Sequence, residues 1–140
     1  MVDNASHLHS RSIIHRDLKS ANILLEKGSE RVVVADFGLA RYCAGASAME
    51  MTAETGSYRW MAPEVIRHEP YHKPCDVYSF AIVVWELLTY TMPFADQSPV
   101  EAAMGVAVRS ERPPIPTQCA RRLRRGRSRS RATSTTRGAR

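Results

Sequence analysis

Ile-His-Arg-Asp-Leu-Lys-Ser-Ala-Asn, residues 14–22, is the stretch around which this chain is organised, together with Asp-Phe-Gly at residues 36–38. Two short apolar runs, residues 23–25 and 32–35, lie between them and are joined by a polar loop that contains Gly28. Short apolar runs on either side of such a loop favour two antiparallel strands. The sequence therefore predicts a β-hairpin between the two stretches.

This hairpin is expected to bring three polar side chains together. A hairpin returns the chain to where it began, so Asn22, before the first strand, and Asp36, after the second, are expected at the same open end. Asp17 lies a few residues upstream of Asn22. Two carboxylates and a carboxamide form the kind of oxygen-rich ligand set that Mg²⁺ prefers. We therefore predict a magnesium-binding site at this end of the hairpin.

Three motifs in this chain resemble, in the same order, motifs of the protein kinases. They are the catalytic-loop motif His15-Arg16-Asp17-Leu18-x-x-x-Asn22, the metal-binding motif Asp36-Phe37-Gly38, and the motif that closes the activation segment, Ala62-Pro63-Glu64. The resemblance implies an α+β fold that is mainly α-helical, namely a kinase C-terminal lobe with a short β-hairpin and without the small lobe. It also implies phosphoryl transfer from ATP to a protein serine or threonine in signal transduction.

The resemblance assigns catalytic and cofactor-binding roles to four residues. Asp17 would accept or orient the proton of the substrate hydroxyl, and Lys19 would meet the transferring phosphate. Asn22 and Asp36 would each hold a Mg²⁺ ion. Such sites accelerate phosphoryl transfer mainly by positioning the reactants and by neutralising charge on the phosphate oxygens. The expected cofactors are thus ATP and Mg²⁺, and the expected partner is a protein substrate.

Four other residues resemble structural supports of a kinase site. His15 is expected to pack inside the protein, and Arg16 to pair with a phosphorylated activation segment. Asp76 would reach back to the backbone of the catalytic loop. Glu64 pairs in that family with an arginine from later helices, which have no counterpart in these 140 residues. Glu64 is therefore expected to lack its partner, and an unpaired buried charge destabilises a fold.

Residues 39–58 show neither a helical nor a strand period, and small and hydroxyl-bearing side chains dominate them. This composition predicts a mobile loop. The loop resembles the activation segment of the protein kinases. By that resemblance, Phe37 would pack inward as the hinge of a switch, and Gly38 would allow the backbone torsion that the switch needs.

Three hydroxyl residues of this loop have candidate roles. A phosphate on Thr52 would pair with nearby arginines and order the loop. Thr55 resembles the residue that supports the catalytic loop rather than a modification site. Ser57 is part of the run at residues 56–64, which together with Lys19 most resembles the tyrosine-kinase-like group of serine/threonine kinases, including the Raf-like enzymes.

The second half of the chain predicts three helices. A short helix is expected over residues 62–68, because Pro63 fits an early helical position that needs no N–H group. Residues 75–89 are apolar nearly all round, which indicates a buried helix and resembles the central helix of the larger kinase lobe. Another helix is predicted over residues 100–108.

The charge is divided unevenly along the chain. Residues 1–119 are expected to form a partial kinase domain, and residues 120–140 a disordered tail, because the tail has few apolar residues to bury. The net charge of +6 comes from this tail, since residues 121–140 contain nine arginines and no acidic residue. Such an arginine- and serine-rich tail would bind RNA or an acidic partner electrostatically. The alternative is an unselected tail, for example from an altered reading frame.

The remaining sequence features favour a soluble intracellular protein, with the cytoplasm expected and the nucleus left open by the tail. The longest apolar run, residues 80–85, is too short to span a bilayer. His7 and His9 are expected to be exposed side chains rather than a metal-binding pair. No zinc-site or redox spacing relates the three cysteines, which are Cys43, Cys75 and Cys119.

Three functional hypotheses remain open from the sequence. The first is a serine/threonine kinase present as an incomplete domain, since no glycine-rich phosphate loop or strand lysine precedes the catalytic loop. The second is a catalytically inactive kinase remnant that acts as a binding module. The third is a nucleic-acid binder that acts through its tail. No membrane partner is expected.

Overall fold

The structure, a computed structural model, describes residues 2–43 and 57–116, with side chains from residue 6 onward. Its helices and strands, in chain order, are α1 (Val2–Ser10), β1 (Ile13–Ile14), β2 (Ile23–Leu25), β3 (Val32–Val34), β4 (Arg41–Tyr42), α2 (Pro63–Ile66), α3 (Pro74–Thr89) and α4 (Pro99–Val108). Two single 3-10 turns, Ser20–Asn22 and Tyr58–Trp60, lie in the loops. The described part is thus mixed α/β, with more helix than strand, as the sequence predicts.

The predicted hairpin is present as β2 and β3. The two strands are antiparallel, and Ile23 pairs with Val34 at the open end. At the opposite end the loop turns at Gly28, whose φ of 81° is accessible to glycine without strain. The hairpin therefore begins directly after the catalytic-loop motif and ends just before Asp36.

A second antiparallel pair, β1 with β4, was not expected from the sequence. Ile13 pairs with Tyr42, and Ile14 pairs with Arg41. This pair joins the residues before the catalytic loop to residues 41–42, which we had predicted to be loop. Both flanks of the hairpin are thereby held side by side. Residues 44–56, the rest of the predicted mobile loop, lie outside the described part of the chain.

The helix α3 is the structural centre of the described residues. Cys75, at its first turn, packs with Ile14 and Met61 in one apolar cluster, while Ile82 and Val83 pack with Trp60 in a second. These contacts explain why the helix lies beneath both the catalytic loop and the segment that precedes α2.

The prediction that this helix is buried on all sides is wrong. Val77, Leu87 and Leu88 are 59%, 57% and 55% exposed. No described element covers that face, so only one side of an apolar sequence is used for packing. Ala81, on the same helix, is also exposed.

The two other predicted helices are present with slightly different ends. The helix α2 is shorter than residues 62–68, and it begins at Pro63, which takes the first helical position. The helix α4 begins one residue earlier than predicted. Ser98 and Glu101 form a capping box at its start, in which each side chain bonds to the backbone N–H of the other. Among the described helices, none combines the length and the apolar character that crossing a bilayer requires.

Candidate active site

The catalytic-loop motif forms a compact polar cluster around Asp17. Lys19 donates a hydrogen bond from Nζ to Asp17 Oδ2 at 2.7 Å. The amide nitrogen of Asn22 donates to the same Oδ2 at 3.1 Å and to the backbone oxygen of Asp17 at 2.8 Å. Asp17 is only 6% exposed. A buried carboxylate is stable in its charged form when donors such as these surround it.

The turn Ser20–Asn22 explains how these side chains meet. Asn22 closes this turn through a bond from its backbone N–H to the oxygen of Lys19 at 3.0 Å. Because this turn bends the chain back, the Asn22 side chain reaches the backbone oxygen and the carboxylate of Asp17. The β2 strand then starts at the next residue.

Asp36 lies at the same end of the hairpin as Asn22. The backbone N–H of Ala35 donates to the backbone oxygen of Asn22 at 2.8 Å, which places Asp36 one residue beyond that link. The Asp36 side chain is exposed, and its Oδ1 accepts a hydrogen bond of 3.3 Å from the N–H of Gly38. The hairpin thus brings the backbone of positions 22 and 36 together, as the sequence predicts.

These donors suit a hard divalent cation. The nitrogen of Asn22 is committed to Asp17, and no hydrogen bond to the Asn22 Oδ1 oxygen is found among the described residues. The Asp36 carboxylate provides further oxygens that face solvent. Carbonyl and carboxylate oxygens are the ligands that Mg²⁺ takes in proteins, usually together with phosphate and water. In the described part of the chain, no group of three or more His, Cys, Asp or Glu side chains could hold a metal ion without such help.

Asp76 anchors the backbone of the catalytic loop from α3. Its Oδ2 accepts a hydrogen bond from the N–H of His15 at 2.8 Å, and its Oδ1 accepts one from the N–H of Arg16, also at 2.8 Å. The carboxylate is 2% exposed. Arg16 has a φ of 74°, a strained conformation for a residue with a side chain. Two charge-assisted bonds hold the backbone in it.

His9 is a further structural support of the catalytic loop, which the sequence does not predict. Its Nε2 donates to Asp76 Oδ2 at 2.8 Å, so Asp76 receives three donors. The sequence predicts His9 only as one of two exposed histidines. His7, the other, contacts Arg11 instead. The contact joins residues 67 positions apart, and no local sequence pattern reveals such a pairing.

His15 connects the catalytic loop to the end of the hairpin. It is completely buried, and its Nε2 donates to the backbone oxygen of Ala35 at 3.1 Å. Its ring lies 5.0 Å from the ring of Phe37, between centroids. Phe37 itself is 49% exposed, so the prediction that it packs inward is wrong for this conformation. The left-handed torsion also lies at Asp36, with a φ of 63°, rather than at Gly38.

Ser57 makes the contact that we had predicted for Thr55. Lys19 Nζ donates to Ser57 Oγ at 3.0 Å, and Ser57 is buried. This bond joins the segment that precedes α2 to the catalytic loop. Thr55 and Thr52 lie outside the described residues.

Arg16 and Glu64 both lack an ion-pair partner in the described part of the chain. The Arg16 guanidinium lies 5.7 Å from the centre of the Tyr71 ring, and its buried Nε has no hydrogen-bond partner there. Glu64 is half-buried and helps to raise the pKa of the neighbouring Cys75, after the larger effects of burial and of Asp76.

Comparison with known proteins identifies relatives among the protein kinases. The protein kinase domain family matches residues 1–124. Serine/threonine-protein kinase STY46 of Arabidopsis thaliana is 55% identical over 111 residues, which cover 79% of this chain and 19% of that kinase. Serine/threonine/tyrosine-protein kinase HT1 and serine/threonine-protein kinase CTR1, from the same plant, are 51% and 42% identical over 113 residues.

These matches cover 81% and 79% of this chain, and 28% and 14% of HT1 and CTR1 respectively. The chain thus spans less than a third of the length of each of these relatives. The family match at residues 1–124 includes the catalytic-loop motif and both flanks of the hairpin. The resemblance inferred from the three motifs is confirmed, and the chain belongs to the protein kinase domain family.

Proposed function

We propose that this chain is the large-lobe part of an ATP-dependent protein serine/threonine kinase. The observation that carries the proposal is the pair of hydrogen bonds that Asp17 Oδ2 receives from Lys19 and Asn22. They fix a buried carboxylate, and no hydrogen bond to its other oxygen, Oδ1, is found among the described residues. The similarity to kinases named for serine and threonine supports the substrate class.

Asp17 orients the substrate hydroxyl in this proposal. A serine or threonine hydroxyl would donate its proton to the Asp17 carboxylate, which turns the oxygen lone pair towards the phosphorus. Lys19, bonded to both Asp17 and Ser57, provides a fixed positive charge beside the transferring phosphate. Precise placement of these groups is a large part of catalysis in phosphoryl transfer.

Asn22 and Asp36 would hold Mg²⁺ together with the phosphates of ATP. The bound cation would neutralise negative charge on the phosphate oxygens. Asn22 would use Oδ1, the oxygen that its bonds to Asp17 leave free, and Asp36 would use its exposed carboxylate. The backbone link between Ala35 and Asn22 keeps the two ligands on the same side of the hairpin.

The chain supplies only part of an ATP site. No glycine-rich loop or strand lysine for the phosphates is present among the 140 residues. Leu24 and Leu25, on the hairpin, are 52% and 75% exposed, and these apolar side chains are available for a covering lobe. We therefore propose that phosphoryl transfer requires a small lobe encoded by sequence outside these residues.

A chimeric kinase tests this proposal. Residues 1–116 of this chain would replace the matching segment of STY46, to which the chain is 55% identical. We expect the chimera to transfer the γ-phosphate of ATP to serine or threonine of a protein substrate in a magnesium-dependent reaction. We expect Asp17→Asn to reduce kcat by about 100-fold or more, because it removes the proton acceptor.

Asp96→Asn serves as the matched control, since Asp96 is an exposed aspartate of the loop before α4. This variant should retain kcat within about twofold, as expected for a surface change. The proposal fails if the folded chimera, with a thermal transition like that of STY46, transfers no phosphate. It also fails if Asp17→Asn and Asp96→Asn have the same activity.

A further inference from the structure

We infer that Glu86 is a positioning residue that joins the catalytic loop to the segment at residues 57–60, referred to below as the clamp segment. This inference rests on the proposed function, because it assigns to Glu86 a role in aligning that site. Glu86 lies in the last turn of α3 and touches neither Asp17 nor the proposed metal ligands.

Each oxygen of the Glu86 carboxylate receives a donor from a different segment. Ser20 Oγ donates to Oε1 at 3.0 Å, and the indole Nε1 of Trp60 donates to Oε2 at 2.9 Å. Ser20 belongs to the catalytic loop, and Trp60 ends the clamp segment. One carboxylate therefore bridges two segments that are 40 residues apart in sequence.

The positions of the two donors matter for the chemistry. Ser20 follows Lys19 directly and begins the turn that carries Asn22 to Asp17. The clamp segment begins at Ser57, which accepts the bond from Lys19. The catalytic loop and the clamp segment are thus joined twice, once by Lys19 and Ser57 and once through Glu86.

The clamp segment is also fixed on its other side, independently of Glu86. The Arg59 guanidinium donates to the backbone oxygens of Pro93 at 3.0 Å and of Gln97 at 2.7 Å. It also donates to the backbone oxygen of Phe94. Trp60 is 8% exposed and packs on Ile82 and Val83 of α3. Loss of Glu86 alone would therefore loosen the link to the catalytic loop without releasing the segment from the fold.

This arrangement predicts a specific effect on the reaction. The clamp segment lies beside Asp17, because Ser57 accepts a hydrogen bond from Lys19, which also donates to Asp17. A shift between the two segments would misplace the hydroxyl, and small misplacements cost large factors in rate. ATP binding at Asn22 and Asp36 lies on the hairpin side and should change little.

The first test is spectroscopic and needs no activity. The chain has two tryptophans, Trp60 and Trp85, so an NMR spectrum of the chain gives one indole N–H signal for each. In Glu86→Gln, which keeps the shape but loses one acceptor oxygen, we expect the Trp60 signal to shift and its hydrogen exchange to accelerate. Trp85 donates to the backbone oxygen of Pro114 at 2.7 Å, and its signal should stay unchanged.

The second test measures kinetics in the STY46 chimera. We expect Glu86→Gln to lower kcat for the protein substrate by about tenfold, which corresponds to about 1.4 kcal/mol, and to change KM for ATP by less than about twofold. Leu87→Gln is the matched control, because it places the same carboxamide on the exposed neighbour, which is 57% exposed. It should leave both constants and both indole signals unchanged.

A double-mutant cycle separates coupling from simple loss of contacts. Ser20→Ala and Trp60→Phe each remove one donor to Glu86. If the carboxylate transmits position between the segments, their effects on kcat should be non-additive, as for neighbours that share a partner. Additive effects would indicate two independent contacts and would overturn the inference.

Two further results would contradict the inference directly. One is an unchanged Trp60 indole signal in Glu86→Gln. The other is a lower free energy of unfolding with an unchanged kcat, which would make Glu86 merely structural. If instead the unmutated chimera has no activity, the proposed function fails, while the indole experiment and the unfolding measurements still decide whether Glu86 joins the two segments.

Discussion

The Asp76 carboxylate of α3 accepts a hydrogen bond of 2.8 Å from the backbone N–H of His15. Its second oxygen accepts an equally short bond from Arg16, and the ring of His9 completes the set. Hydrogen bonds therefore hold the backbone of the catalytic loop to α3. The bonded residues directly precede Asp17, to which we assign the proposed chemistry. Asp76 contributes through this support and does not itself reach Asp17 in the described structure.

Removing the Asp76 carboxylate should destabilise the fold. In Asp76→Ala, the buried backbone N–H of His15 and the partly buried N–H of Arg16 lose their acceptor, and an unsatisfied buried group costs about 1–3 kcal/mol. We expect the free energy of unfolding, measured in urea, to fall by at least about 2 kcal/mol. Asp76→Asn retains one acceptor oxygen and should lose less. The control Asp96→Ala, at an exposed aspartate, should have a free energy of unfolding within about 0.5 kcal/mol of the parent chain. Equal losses in Asp76→Ala and Asp96→Ala would refute the role of Asp76.

Ser57, rather than Thr55, should support the catalytic lysine. In the chimera, Ser57→Ala should lower kcat, because Lys19 Nζ loses the hydroxyl that it contacts at 3.0 Å. We expect a loss of about twofold to thirteenfold, the range that corresponds to the net value of about 0.5–1.5 kcal/mol for one hydrogen bond. Ser57→Thr, which restores the hydroxyl, should recover most of the activity. A larger effect of Thr55→Ala than of Ser57→Ala would contradict this assignment.

Cys75 should make stability fall at alkaline pH. Burial, together with the carboxylates of Asp76 and Glu64, raises the pKa of its thiol from 9.0 to about 12. Above pH 9 the unfolded chain therefore releases a proton that the folded chain retains, so the free energy of unfolding decreases as pH rises from about 9 to about 12. Burial also raises the pKa of Tyr71 and Tyr78, which adds a loss in the same direction.

Urea unfolding at about pH 8 and about pH 10 measures this effect. In Cys75→Ala the loss between the two pH values should be smaller by about 1.4 kcal/mol in total, because the unfolded thiol ionises mainly above pH 9.0, while the tyrosine contribution remains. An identical loss in the parent chain and in Cys75→Ala would show that the Cys75 thiol does not contribute to the pH dependence of the free energy of unfolding. The folded chain should also react slowly with thiol reagents at Cys75, which is 3% exposed.

The sequence predicted the parts of this fold whose signals are local. The hairpin follows from two apolar runs around a loop with Gly28, and α4 follows from an apolar run after Ser98 and Pro99. The two-residue strands β1 and β4 were missed because such short strands have no measurable period. The exposed face of α3 was missed because composition alone does not indicate which elements cover an apolar helix.

In the candidate site, too, the sequence predicted the features that have a local signal and missed the contacts between distant residues. Motif spacing placed Asp17, Asn22 and Asp36 at one end of the hairpin, where the structure also brings their backbones. The bonds from His9 to Asp76 and from Trp60 to Glu86 join residues 67 and 26 positions apart. Such contacts depend on how α3 packs beneath the loops, and a single sequence contains no direct signal for that packing. The exposed ring of Phe37 likewise depends on the conformation around Asp36.

A double-mutant cycle between Asn22 and Asp36 in the chimera tests most directly the claim that these residues share one magnesium–ATP complex. The measurement is kcat/KM for ATP as a function of Mg²⁺ concentration in Asn22→Ala, in Asp36→Asn and in the double variant, with Asp96→Asn as control. We predict that each single change lowers kcat/KM and that the double variant is less impaired than the product of the two effects, with a coupling of about 0.5–3 kcal/mol. Strictly multiplicative effects, or losses no larger than in the control, would contradict the account.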